Sequence, residues 1–325
     1  MYPDRVRNII DLYRKNHVEY HWIQEDREEQ KVVSVMLGII VLTLSFLSIS
    51  LYILHLPNAN AQNNDNTINL QNQSIADKVT IVKVLAKSLG QSLNNSAAHL
   101  KVTSVLPQVG NAQYADKINS SLHGIANDVD VAKRNIADAI LKADDDFAGI
   151  SFLLPNGDMY MQEPYWRQLN LTQNNFAFRD YHKGAIETKD AFLGNMIVSK
   201  ATGKRVSVIA VPIHSDKDGS LIGVWNGALE FSVFDRYLQS LHPLNIERIV
   251  YVDSQGQKVA DSDSQLSKTP ESFANLQSFK DAISGKSGYN IEVVNDTKMF
   301  VGYSPAKILS NTWTVLLMEP YSQVQ

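Results

Sequence analysis

Val32–Leu54 is a run of 23 residues without a single charge, and it limits what the rest of the chain can be. At about 1.5 Å per residue, a helix of that length reaches about 35 Å. That suffices for the roughly 30 Å hydrocarbon core of a bilayer with some tilt. The sequence therefore predicts a transmembrane helix over residues 32–54. Basic residues set its orientation. Arg14, Lys15, Arg27 and Lys31 lie just before the run, and the first Lys after it is Lys78. The positive side stays in the cytoplasm. This makes residues 1–31 a cytoplasmic tail and puts the main domain outside, in a single-pass protein of the cell membrane. Ala59-Asn60-Ala61 looks like a signal-peptidase site, but the segments before it are longer than a cleaved leader uses. The uncleaved anchor is the reading taken.

The rest of the composition removes whole classes of chemistry. A net charge of −4, with no basic patch interleaved with aromatics, argues against a nucleic-acid partner. The absence of cysteine removes disulfides, thiolate zinc sites and cysteine nucleophiles. Gly285-Lys286-Ser287 ends like a phosphate-binding loop, but Lys280 stands where that loop needs glycine. Gly203-Lys204 is followed by Arg205, so it does not fit either. No His-Glu-x-x-His occurs, and Asp216–Gly219 lacks the spacing of a calcium loop. Asp144-Asp145-Asp146 reads as a solvated helix end. The chain is expected to be no enzyme and to use no cofactor or metal.

Residues 57–74 are polar and read as an exit from the membrane. Ile75, Val79, Val82, Leu85, Leu89 and Leu93 then recur at helical spacing, which predicts a long stalk helix broken at Asn94-Asn95-Ser96. Its apolar face also offers a homodimer contact. Ile118, Leu122, Ile125 and Val129 predict a second helix, and Ala132, Ile136, Ala139 and Ile140 a third. Linker and stalk together occupy 57–143. From Phe147 the texture changes to strands. Phe147–Leu154 and Met159–Gln162 flank an Asn156-Gly157 turn, a hairpin signal. A loop with Trp166 and Arg167 follows, then a helix over Arg179–Glu187. Strands are expected over Ala191–Val198, Arg205–Ile213 and Leu221–Phe231, and a connecting helix over 232–243. Antiparallel strands with helices to one side predict an α+β fold.

The same plan recurs downstream. Ile246–Val252 and Gln257–Ala260 repeat the hairpin, and Phe273–Ser284 repeats the helix. Tyr289–Val294, Lys298–Tyr303 and Thr312–Glu319 repeat the remaining strands. The second copy lacks a match to Arg179-Asp180-Tyr181.

A membrane span, a stalk helix and two tandem α/β modules resemble the double Cache family of extracytoplasmic sensor domains, over roughly Asn66–Gln325. The residues that carry the resemblance are Phe176-Ala-Phe-Arg179-Asp180-Tyr181-His182-Lys183-Gly184-Ala185, Ser199 with Thr202-Gly203-Lys204, Ala210–Ile213, Gly223–Gly227 and Trp313–Pro320. The resemblance implies two PAS-like modules with antiparallel sheets. The membrane-distal one, 144–231, would bind the ligand, and the membrane-proximal one would span 244–325. Members that bind amino acids carry an upstream Tyr, an Arg-x-Trp-Tyr segment and a downstream Asp. Arg179 matches the Arg. Tyr181 stands at the Trp position, His182 at the Tyr position and Asn174 at the upstream Tyr. The Asp falls near Ala228 or Glu230.

The residues fit that implication. The planar guanidinium of Arg179 suits a carboxylate, and a helix start adds free backbone N–H groups. Tyr181 and Trp166 can wall a pocket with aromatic surface and a polar tip. The candidate ligand residues are thus Arg179, Tyr181, Trp166, His182 and Glu230. The expected function is a membrane-anchored extracytoplasmic sensor for a small anionic or zwitterionic molecule. No second span or transmitter follows, so either a longer product or a separate transmitter protein would carry the signal. A non-sensing cell-surface assembly or adhesion protein is the alternative.

Overall fold

The computed structural model describes residues 65–241 and 248–321. The expected tail, transmembrane run and signal-peptidase site lie outside the described residues. Among the described residues no helix is long and apolar enough to cross a membrane.

The first element is one continuous helix, α1 (Asp65–Ser104), 40 residues long. Its buried stripe runs Val82, Leu85, Leu89, Leu93, Ala97 and Leu100, and it carries straight through the expected break. The asparagines fail to break it because Asn94 is used elsewhere. Its amide donates to Lys307 O at 3.0 Å and accepts from Leu309 N at 2.8 Å. A side chain engaged by a neighbouring turn cannot compete for its own helix backbone. The Ile118–Val129 pattern is not an α-helix. It forms two 3₁₀ turns, Ala115–Lys117 and Ser120–Leu122, and then Ile125 N donates to Tyr160 O at 2.8 Å. Asn119 caps the second turn, accepting from Ser121 N. The third expected helix is present as α2 (Val131–Ala143).

Two antiparallel sheets follow. The first holds β1 (Phe147–Leu153), β2 (Met159–Glu163), β3 (Phe192–Leu193), β4 (Ile197–Val198), β5 (Arg205–His214) and β6 (Leu221–Glu230). Its order is β2-β1-β6-β5-β3, with β4 also on β5. Helices α3 (Tyr165–Leu169) and α4 (Asp180–Thr188) lie between β2 and β3 in the chain. The expected strand over Ala191–Val198 is split into β3 and β4, because acids take two of its backbone donors. Asp180 Oδ2 accepts from Asn195 N at 2.7 Å, and Asp253 Oδ2 accepts from Met196 N at 3.2 Å. Helix α5 (Phe231–Gln239) leads on to the second sheet. That sheet holds β7 (Arg248–Val252), β8 (Lys258–Asp261), β9 (Gly288–Val294), β10 (Thr297–Ile308) and β11 (Asn311–Pro320), with α6 (Gln277–Ile283) before β9. Its order, β8-β7-β11-β10-β9, has the same connectivity as the first.

Alternation along each strand separates two faces. Ile150, Phe152, Trp225 and Leu229 face one continuous core that also takes in the α1 stripe and, from the second sheet, Trp313, Val315 and Leu317. The opposite face of the first sheet carries Leu153, Val208, Ala210 and Val224 under Phe176, Tyr181 and Ala185. The opposite face of the second carries Val250, Val301, Leu316 and Met318 under Phe279 and Ala282. Both sheets dock on α1. Lys78 pairs with Glu319 of β11, and Trp225 Nε1 of β6 donates to Thr103 Oγ1 at 3.2 Å. Gly90 permits the close approach, since a Cβ there would meet Lys307 O at 2.8 Å.

Candidate functional site

The register of the first sheet sets a row of polar side chains across an otherwise apolar face. Ser151 pairs with Gln162 on one side and with Asn226 on the other. Paired residues of an antiparallel ladder point to the same face, so Gln162, Ser151 and Asn226 stand together under α4. Asn226 sits on the central strand with 2% of its surface exposed. Its Nδ2 donates to Val224 O at 3.0 Å and Ser151 O at 3.5 Å, while Oδ1 has no partner among the described residues.

Arg167 lies beside this row, with 3% of its surface exposed. It comes from α3, which is held by its neighbour Gln168. The Gln168 amide donates to Leu122 O at 2.8 Å and Ile125 O at 2.9 Å, and accepts from Gln162 N at 3.0 Å. Gly149 makes room for the arginine stem, since a Cβ there would meet Arg167 Nε at 3.0 Å. Burial pushes the Arg167 guanidinium below its ordinary value, with Glu230 acting against it. From above, Arg179 enters at the start of α4. Its Nη2 reaches Val198 O at 3.5 Å, and its guanidinium lies 4.9 Å from the Phe178 ring. Tyr181, the second residue of α4, is buried, and its hydroxyl is held above the ordinary phenol value by burial, Arg179 acting against it.

These groups line a cavity of about 50 Å³, closed at the side by Ile197, Ser199, Lys200 and Ala201. Gln162 Oε1, Arg167 Nε, Arg179 Nε and Asn226 Oδ1 are buried without a partner among the described residues, and all four residues line it. A buried polar atom without a partner costs about 1–3 kcal/mol. Four such atoms, two donors and two acceptors, belong to residues of this one cavity, which makes it the candidate site.

Of the residues singled out from sequence, Arg179 and Tyr181 line this cavity; Trp166, His182 and Glu230 do not. Trp166 is 51% exposed and stacks on the outside against Arg167, 5.5 Å from ring to guanidinium. His182 points the other way along α4. Its Nε2 lies 3.3 Å from Leu154 O, and burial holds its imidazole below the ordinary value. Glu230 ends β6, accepts from Lys204 at 2.5 Å and Ser232 at 2.9 Å, and stands 3.8 Å from Arg167. Burial alone would raise its carboxyl, but these partners hold it below the ordinary range. It faces a separate cleft of about 500 Å³, shared by residues of both sheets such as Arg205 and Lys258. That cleft is larger, but its charges answer one another: Lys258 meets Asp261 at 3.0 Å and Glu271 at 3.3 Å. No unpartnered buried side-chain atom among the described residues belongs to a residue lining it.

The second sheet has no comparable row. Val250 and Leu316 stand cross-strand where Ser151 and Asn226 stand in the first. Glu292 of β9 fills the start of α6, accepting from Gln277 N at 2.6 Å and Ser278 N at 2.9 Å.

Sequence reasoning missed Arg167, Gln162, Ser151 and Asn226. One local signal was available: Asn226 interrupts the inward face Val224, Ala228 of a strand that is otherwise apolar there.

A Cache-domain family model of the double-Cache type matches residues 66–325. The chain belongs to the double-Cache family. Solved double-Cache relatives share the fold at low identity. The ligand-binding domain of the Pseudomonas fluorescens chemoreceptor CtaA with L-isoleucine is 17% identical, with TM-score 0.54, covering 79% of this chain and 95% of its own. That of the Pseudomonas aeruginosa chemoreceptor PctC with GABA is 18% identical, with TM-score 0.51, covering 76% and 100%. The periplasmic sensory domain of the Campylobacter jejuni chemoreceptor Tlp1 is 16% identical, with TM-score 0.54, covering 78% and 97%. A comparison with curated protein sequences finds no match.

Proposed function

We propose that this double-Cache chain is a membrane-anchored extracytoplasmic sensor that binds a small anionic or zwitterionic molecule in the cavity of its first sheet. The observation that carries the reading is that four residues lining that cavity each carry a buried polar atom without a partner among the described residues. The guanidinium groups of Arg167 and Arg179 suit a carboxylate. Two of the solved relatives hold small molecules that carry one, L-isoleucine and GABA. The first sheet would then belong to the membrane-distal module.

The same site has a route outward. A cavity of about 50 Å³ has room for a few waters, so a larger guest must push back the Ile197–Ala201 wall. That wall is weakly paired, since β4 contributes only two residues. Its near end is gripped by the second sheet's hairpin: Asp253 takes Met196 N, and Ser254 Oγ donates to Asn195 Oδ1 at 2.9 Å. Ligand entry would therefore bias the contact between the sheets, a shift between two states rather than catalysis. The change would pass to a transmitter further along the same product or in a separate protein.

The test is a thermal-shift screen of the full chain in detergent against amino acids, carboxylates, amines and purines. A saturable stabilisation that disappears in Arg179→Ala supports sensing. A folded protein that responds to nothing in the panel favours a surface-assembly role instead.

A further inference from the structure

The cavity's charge balance says more about the guest than its size does. Three cationic residues line it, Arg167, Arg179 and the rim residue Lys200, and no acidic residue does. The acids close by are committed elsewhere. Glu230 faces the other cleft, where Lys204 and Ser232 hold it, and it reaches Arg167 only at 3.8 Å. Asp180 accepts from the backbone of Tyr181 and Asn195. On β6, beside Asn226, Ala228 contributes only a methyl group to the lining. An ammonium placed there would meet two guanidinium groups whose one nearby acid, Glu230, is already shared with Lys204, an arrangement that disfavours the charged form.

The cavity nevertheless asks for a donor. Both Nδ2 hydrogen bonds of Asn226 go to backbone carbonyls, so its Oδ1 is the end left without a partner. An oxygen with free lone pairs accepts from a neutral hydroxyl without needing a counter-charge. Gln162 Oε1, one strand over on the far side of Ser151, repeats the demand.

We infer that the guest is a small hydroxy acid, its carboxylate on Arg179 and Arg167 and its hydroxyl donating to Asn226 Oδ1, in preference to the α-amino acid of the same shape. The inference rests on the cavity being the ligand site. A two-acid skeleton such as that of malate makes fullest use of the three cations.

Matched pairs that exchange only hydroxyl for ammonium isolate the point: L-malate against L-aspartate, and L-lactate against L-alanine, titrated calorimetrically into the full chain in detergent. The expected result is that the hydroxy acid of at least one pair binds ten-fold or more tightly than its amino partner. Asn226→Asp, or Ala228→Asp if the first variant does not fold, supplies the missing negative charge and should shift that ratio ten-fold or more toward the amino acid. Equal or tighter binding of the amino acids by the unaltered protein overturns the hydroxy-acid inference and leaves the sensor reading standing. Binding of none of the four, with other small anions also silent in the thermal-shift screen, overturns both.

Discussion

Arg167 owes its place to a missing methyl group, and restoring that methyl should separate packing from recognition. In Gly149→Ala the new Cβ would lie 3.0 Å from Arg167 Nε, 3.3 Å from Arg167 Cδ and 3.3 Å from Glu163 O. Ordinary carbon contacts sit at about 3.5–4.0 Å, so the arginine must give way by a few tenths of an ångström. With 3% of its surface exposed, Arg167 has little space to do so. Overpacking of this kind costs about 1–3 kcal/mol. At about 2–4 °C per kcal/mol for a domain of this size, Tm should fall by roughly 2–12 °C. Displacing the guanidinium should also remove its proposed charge-assisted hydrogen bond to the ligand, worth about 1.5–3 kcal/mol, or roughly 10- to 150-fold in affinity. The steric control is Gly90→Ala, whose Cβ would strike Lys307 O at 2.8 Å in the second sheet, away from the cavity. It should lower Tm and leave affinity alone. The assay is differential scanning fluorimetry with calorimetric titration of the acid that stabilises the unaltered protein most. Unchanged affinity in Gly149→Ala beside a clear loss of Tm would refute a ligand role for Arg167. No loss of Tm would refute the packing argument itself.

Three further outcomes are expected. Lys133 has none of its surface exposed, and its ammonium lies 3.9 Å from the Phe152 ring; burial pulls it down from 10.5 to about 8, with Asp130 acting against that. Between those values the unfolded chain holds a proton that the folded one has released, so stability should rise with pH, by about 3 kcal/mol if fully realised. Denaturation midpoints at pH 7.5 and 9.5 check the sign, and a falling midpoint contradicts it. Tyr181→Phe removes a hydroxyl that makes no hydrogen bond among the described residues. Tm should move by little while affinity drops several-fold in titration, and equal affinity would assign Tyr181 to packing alone. Glu292→Ala strips the acceptor from two N–H groups at the start of α6. It should cost about 0.5–2 kcal/mol by chemical denaturation with no change in ligand affinity.

Much of the architecture was legible because its signals are local. The Asn156-Gly157 and Gln255-Gly256 turns announce the two hairpins, and both glycines adopt positive φ. Recurrence of hairpin, helix and three strands announced two sheets of one topology. Arg179 and Tyr181 were legible for the same reason, standing together at a helix start. What local reading lost was decided at a distance. Asn94 looks like a helix breaker until the β10–β11 turn claims its amide. The Gln162–Ser151–Asn226 row exists only once three strands are in register. Arg167 belongs to the cavity only because Gly149, on another strand, leaves room for it. Glu230 shows the reverse: the resemblance put it at the ligand site, yet Lys204 and Ser232 hold it at the other cleft.

Glu292 gives the duplicated plan a further meaning. A carboxylate carried on β9 and delivered to its own helix behaves as a ligand that cannot diffuse away, so its effective concentration is fixed by the fold. The second sheet is in this sense already loaded, whatever the surroundings contain. Under the proposed function the first sheet would draw its anion from solution. Of two units with the same connectivity, one would then answer to concentration and the other would supply a constant reference against which the answer is measured.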